Sequence, residues 1–146
     1  MMNNKGFSLV ELIIVIAIMA ILSGALAPQL MKYIQRSRTS VDYNACQGVI
    51  TSINTTLAND EPYREIITSA INNSNVITFS FNGSKPTDYS DASIAGGEFE
   101  KSLLEDLGSW PSTKAESADA FYCKITVDLT DNTIENVEVQ TEPFTP

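Results

Sequence analysis

Histidine is absent from all 146 residues. That removes the most frequent general base and the most frequent ligand for zinc, copper and non-haem iron, so catalysis and metal binding start from a poor inventory. Only two cysteines occur, Cys46 and Cys123, without the C-x-x-C spacing of a zinc or thioredoxin-like site. Basic residues are scarce too: nine Lys and Arg stand against 18 Asp and Glu, for a formal net charge of −9. The imbalance is uneven, since Met1 to Asn59 carry four bases and two acids while Asp60 to Pro146 carry five bases and sixteen acids. An acidic second part argues against nucleic-acid binding. Phosphate loops, dinucleotide fingerprints and nucleophile elbows are missing, and no serine has a histidine to activate it.

What the sequence has instead is oil. Phe7 to Ala27 reads FSLVELIIVIAIMAILSGALA, a run of the length needed to cross a hydrocarbon core of roughly 30 Å as a helix. Leu12 to Leu22 is apolar on every side, so lipid or other helices must surround it. Three readings fit: a cleaved secretory signal ending near Ser23 to Ala27, a permanent anchor, and a segment that leaves the membrane to pack against copies of itself. Lys5 precedes the run and Lys32, Arg36 and Arg38 follow it, so flanking charge gives no orientation. Glu11 discriminates better, because an acid at the centre of a membrane helix costs about 2.5–3.5 kcal/mol and marks function unless the helix start and headgroup region shelter it.

The run KGFSLVEL places Lys5, Gly6, Phe7 and Glu11 ahead of an uninterrupted apolar stretch. In this it resembles the prepilin motif of type IV pilins and the related pseudopilins, with a short leader of the type IVa kind. The resemblance covers residues 1 to about 30. It implies that a prepilin peptidase cuts between Gly6 and Phe7 on the cytoplasmic side, that the new amine of Phe7 is N-methylated, and that Glu11 pairs with the terminal amine of a neighbouring subunit. It also implies a homo-oligomeric helical filament, raised by an assembly platform and an ATPase. The precursor would lie in the inner membrane and the product outside the cell, serving adhesion, motility or DNA uptake. Pro28 has no amide hydrogen for the Gly24 carbonyl, so within a helix it would bend or locally melt the axis, and the other reading is a helix that simply ends before Pro28.

Beyond Pro28, Leu30, Ile34, Val41, Ala45, Val49, Ile53 and Leu57 recur at helical steps, with Lys32, Arg36 and Asp42 placed on other faces. One helix over Phe7–Leu57 is expected. Asn59 to Glu61 before Pro62 predicts a short helix to Asn72. Val76–Phe81 alternates as a strand and ends at the Asn82-Gly83 turn signal. Ser84–Gly96 reads as an exposed loop, and Gly97–Leu107 as a helix closed by Gly108. In Ala120–Leu129 the residues Phe121, Cys123, Ile125, Val127 and Leu129 face one way, and Ile134–Thr141 returns as the second arm of a hairpin with Val137 and Val139 inward. The expected class is α+β: one long N-terminal helix packed on a small antiparallel sheet, with short extra helices. This is also the pilin fold. The expected divisions are a leader at 1–6, a transmembrane or filament-core half-helix at 7–29, and a globular head at 30–146.

Cys123 on the inward strand face and Cys46 beside the helix stripe can meet across the core, as a disulfide or as two buried thiols. In many pilins the two cysteines instead enclose a C-terminal loop. Asp128, Asp131, Asn132 and Glu135 around the hairpin offer calcium ligands, but a solvated turn explains them better, and no metal or other cofactor is expected. Acceptor patterns for glycosylation at Asn54, Asn72 and Asn82 are of a kind frequent by chance. A structural filament subunit, not an enzyme, is therefore the leading reading. Its rivals are a pseudopilin of a secretion or competence system and, from another class, a membrane-anchored or secreted enzyme or binding domain.

Overall fold

The computed structural model describes residues 6–86, 88–116, 118–130 and 133–144, with only the backbone described at 129, 130, 133–135 and 144. Two compact units divide the chain, Met1–Ser37 and Arg38–Pro146. Helix α1 runs over Leu9–Thr56 with Pro28 inside it. α2 covers Asp60–Asn72, β1 Val76–Phe81, α3 Glu98–Leu107, β2 Ala120–Thr130 and β3 Thr133–Phe144, with one 3-10 turn at Ala92–Ile94. The class is thus α+β, as the periodicities predict.

The sheet has the order β1-β2-β3, antiparallel throughout. Alternation does the sorting: Ile77, Phe79 and Phe81 on β1 and Phe121, Cys123, Ile125 and Val127 on β2 are all buried. They meet Cys46, Val49 and Ile53 of α1, Ile66 and Ala70 of α2, and Phe99 and Leu103 of α3 in one core. Aromatic rings fill its centre, with Phe79 edge-on to Phe99 at 6.0 Å and Phe81 against Trp110 at 5.1 Å and Phe121 at 5.6 Å. β3 reaches three residues beyond the expected Thr141, because its backbone keeps pairing with β2 out to Phe144 opposite Ala120. The expected loop at Ser84–Gly96 holds the 3-10 turn, whose Ile94 is fully buried.

The helical stripe differs from the one the sequence predicts. Asp42, Cys46, Val49, Ile53 and Thr56 form the buried face of α1, whereas Val41 is 49% exposed. Asp42 is inside because its carboxylate has two donors waiting: Lys114 N at 2.7 Å and Ala115 N at 2.8 Å. Two successive amides aimed at one carboxylate satisfy the charge that burial would otherwise penalise. The same loop is held from the other side by Asn82, whose Oδ1 accepts from Thr113 N at 3.1 Å and whose Nδ2 donates to Asp119 O at 2.7 Å.

Other carboxylates fasten the remaining loops. Glu65 on α2 accepts from Phe99 N at 2.7 Å and so caps α3. Gly97 makes room for it, since a Cβ there would lie 1.7 Å from Glu65 Oε1. Buried Glu100 accepts from Tyr89 OH at 3.1 Å and Gly96 N at 3.0 Å. Asp106 takes the Thr56 hydroxyl at 2.9 Å. Asp91 accepts from the Ser69 hydroxyl, from Asn73 Nδ2 at 2.9 Å and from Ser93 N at 2.9 Å. The Ser69 hydroxyl first, and then Ser93 N, hold its carboxyl down at about 2 against an ordinary 3.8.

Cys46 and Cys123 are brought into the same core as two free thiols. Thr141 Oγ1 donates to Cys123 Sγ at 3.5 Å. Burial pushes the Cys46 thiol up to about 11 and the Cys123 thiol up to about 12.

Three outcomes follow from this packing. Asp42→Ala strands two amides and is expected to cost about 1–3 kcal/mol of unfolding free energy, read by urea titration of Trp110 fluorescence. The depressed Asp91 carboxyl contributes stability that is present above about pH 4 and lost as pH falls towards 2, so Asp91→Asn should remove that part of the acid loss and leave the pH dependence near neutrality unchanged. The native chain should resist alkylation near pH 8, while the unfolded chain takes two alkyl groups without reductant; uptake only after reduction would mean that the pair is oxidised.

Candidate assembly segment and processing site

Gly6 and Phe7 are exposed coil immediately before α1, with Phe7 82% exposed and nothing within 4 Å of where a Gly6 side chain would project. Ser8 follows as the residue before the helix, and Glu11 lies in its first turn.

Those two residues touch. Ser8 N donates to Glu11 Oε2 at 2.9 Å, the backbone half of a capping box. The carboxylate thus occupies one of the amides that every helix start leaves without an intrahelical acceptor, and it sits at the positive end of the dipole. The Ser-x-x-Glu spacing is legible in the sequence as a cap, a specific form of the helix-start shelter expected for Glu11.

From Leu9 to Leu22 the large apolar side chains are exposed on all sides of the helix, from 74% at Leu9 to 49% at Val15. Within α1 lies a window of mean hydropathy 2.7, none of it buried, so the helix is long and apolar enough to cross a membrane. Among the described residues nothing in its own unit covers this surface. Gly24 and Pro28 fall inside α1 rather than at its end. Pro28 has no amide hydrogen to give to the Gly24 carbonyl, which leaves a gap in the hydrogen-bond ladder there.

Among the described residues no three His, Cys, Asp or Glu side chains gather as a metal site. Of the calcium candidates, Asp131 and Asn132 lie outside the described residues, as does the Glu135 side chain. A shallow depression of ≈ 180 Å³ on the outer sheet face is lined by Tyr122, Lys124, Gln140, Thr141 and Glu142. Asn54 and Asn72 are exposed, while Asn82 is engaged at both ends of its amide.

A known family matches at this same end of the chain. The family described as "Prokaryotic N-terminal methylation motif" matches residues 1–27. A fimbrial protein of Moraxella nonliquefaciens is 36% identical over 75 residues, which is 51% of this chain and 49% of that protein. The chain therefore spans about half the length of the curated relative it matches. No solved structure matches. A methylation motif at its start, a helix of membrane-crossing length behind it and an α+β fold are what this chain shares with the type IV pilins.

Proposed function

We propose that this chain is the structural subunit of an extracellular filament, stored in the inner membrane as a precursor and assembled through α1. One observation carries the reading: a helix apolar on every face, uncovered in its own unit, bears a single carboxylate at its start. Lipid can solvate the oil, whereas a bundle of like helices solvates it and can also supply a cation to the acid.

In this reading residues 1–6 are a leader that prepilin peptidase removes by hydrolysing the Gly6–Phe7 bond. Methylation of the Phe7 amine keeps it cationic. Residues 7–29 form the filament core, with the Gly24–Pro28 stretch as its compliant point, and residues 30–146 form the acidic surface. Assembly draws on a platform and an ATPase supplied by other chains. No catalytic role is assigned to the subunit, in keeping with a structural family. A pseudopilin of a secretion or competence system has the same start and differs in fibre length.

N-terminal mass analysis of sheared surface material tests the reading. A chain beginning at N-methylated Phe7 is expected; a chain beginning beyond Ala27, with no fibres on the cells, would sink it and favour a secreted enzyme or binding domain. Glu11→Ala should leave the Gly6–Phe7 cut intact but severely reduce filament yield, since unpairing one member of a buried ion pair costs about 3–5 kcal/mol. Undiminished filaments from that variant would remove Glu11 from the assembly role.

A further inference from the structure

We propose that the outer edge of β3 is a strand-addition site for an extended segment in which apolar and basic residues alternate. The site lies wholly in the second unit and does not depend on the filament reading. The two edges of the sheet, β1 and β3, are treated differently by the chain.

The β1 edge is closed. The segment that follows β1 returns along its outer side: Ser90 N donates to Thr78 O at 2.8 Å, Thr78 N donates to Ser90 Oγ at 2.9 Å, and Ser80 N donates to Asp88 Oδ1 at 3.1 Å. Among the described residues β3 has no strand on its outer side and no cover of this kind. An uncovered edge is a template for another strand.

Pro143 fixes which groups that edge offers. It has no amide hydrogen, so it cannot exchange a pair of hydrogen bonds with its neighbour, yet it sits opposite Phe121 in a register that is regular from Asn136 to Phe144. Phe121 and Pro143 are therefore a pair without direct hydrogen bonds, and in an antiparallel ladder such pairs alternate with bonded ones. Counting back by twos, Thr141, Val139 and Val137 turn their N–H and C=O groups to the open side. The far side of β2 agrees, because Val127, opposite Val137, gives its amide to Asn75 O just ahead of β1.

Side chains set the chemistry of the occupant. Val137 and Val139 are half-buried against the core, so apolar residues opposite them would extend its surface. Glu138 and Glu142 alternate with them on the exposed face. With Glu135 they are the charged residues of β3, which has no Lys or Arg. A second β3 laid alongside would set acid beside acid, whereas Lys or Arg at alternate positions supplies the opposite charge across the pair.

Hydrogen exchange on the full-length chain in nonionic detergent micelles tests the site, with the end-blocked peptide KVKVKVK as probe. Bound antiparallel, the peptide aims its valine amides at β3 and sets its lysines beside Glu138 and Glu142. Exchange at Val137, Val139 and Thr141 should slow by roughly tenfold or more, with Thr78 and Ser80 unchanged. N-methylation of the valine nitrogens should abolish this protection. N-methylation of the lysine nitrogens, which face away, should preserve it. Val139→Pro removes one outward amide and should weaken binding roughly tenfold. Since proline can also disturb folding, the exposed pair Glu138→Lys and Glu142→Lys is the second variant, expected to lose KVKVKVK and to bind EVEVEVE instead.

Unchanged exchange of the three amides at about 1 mM peptide overturns the proposal. Protection that survives N-methylated valines, or that falls on Thr78 and Ser80, does the same. Protection of the β3 amides that rises with protein concentration in the absence of peptide would give the edge to a second copy of the chain and overturn the basic partner. None of these results bears on the filament reading, which stands or falls on the N-terminus of surface material.

Discussion

Everything about the first unit follows from apolar surface that its own unit does not cover. Each exposed Leu, Ile or Val forfeits on the order of 1.5–3 kcal/mol relative to burial, and α1 carries ten such residues between Leu9 and Leu22. No folded arrangement of that unit recovers the sum, so the segment must be completed by lipid or by other chains. Glu11 is tolerated in this setting because it is the cap of the helix it would otherwise disrupt. The same carboxylate therefore serves helix formation and, in the proposed filament, recognition between subunits.

In the second unit acidity is structural as well as superficial. Asp42, Glu65, Asp91, Glu100 and Asp106 each accept hydrogen bonds that hold a loop or a helix end in place. Carboxylates suit this work, since they accept only, and bonds to a charged acceptor are stronger than neutral ones. By contrast the surface ion pairs Arg38–Glu116 and Lys101–Glu98 are exposed and contribute little. The negative charge of the domain is thus partly consumed in its own architecture.

Periodicity made most of the fold legible. The clean alternation of Phe121, Cys123, Ile125 and Val127 fixed β2, and Pro62, Gly97 and Gly108 marked the ends of the short helices to within about two residues. Asp42 was placed outside because a charged residue on a helix is ordinarily solvated. Its burial depends on two amides more than seventy positions away, and no local pattern reports those. Ile94 was assigned to an exposed loop for a similar reason: the core that receives it is built from helices and strands elsewhere in the chain.

The sequence by itself determined the α+β class and the apolar N-terminal segment with its methylation motif, because both are written in contiguous residues: Lys5 to Glu11, the apolar run, and the alternating strands. Hydrophobic period and motif spacing are local quantities. The tertiary structure decided which carboxylates are buried, which face of α1 meets the sheet, that Cys46 and Cys123 share one core, and that Glu11 turns back to Ser8. Those outcomes depend on where donors and cavities lie in space. A folded chain sets that by bringing distant residues together, and at Glu11 by choosing the rotamer that the helix start rewards.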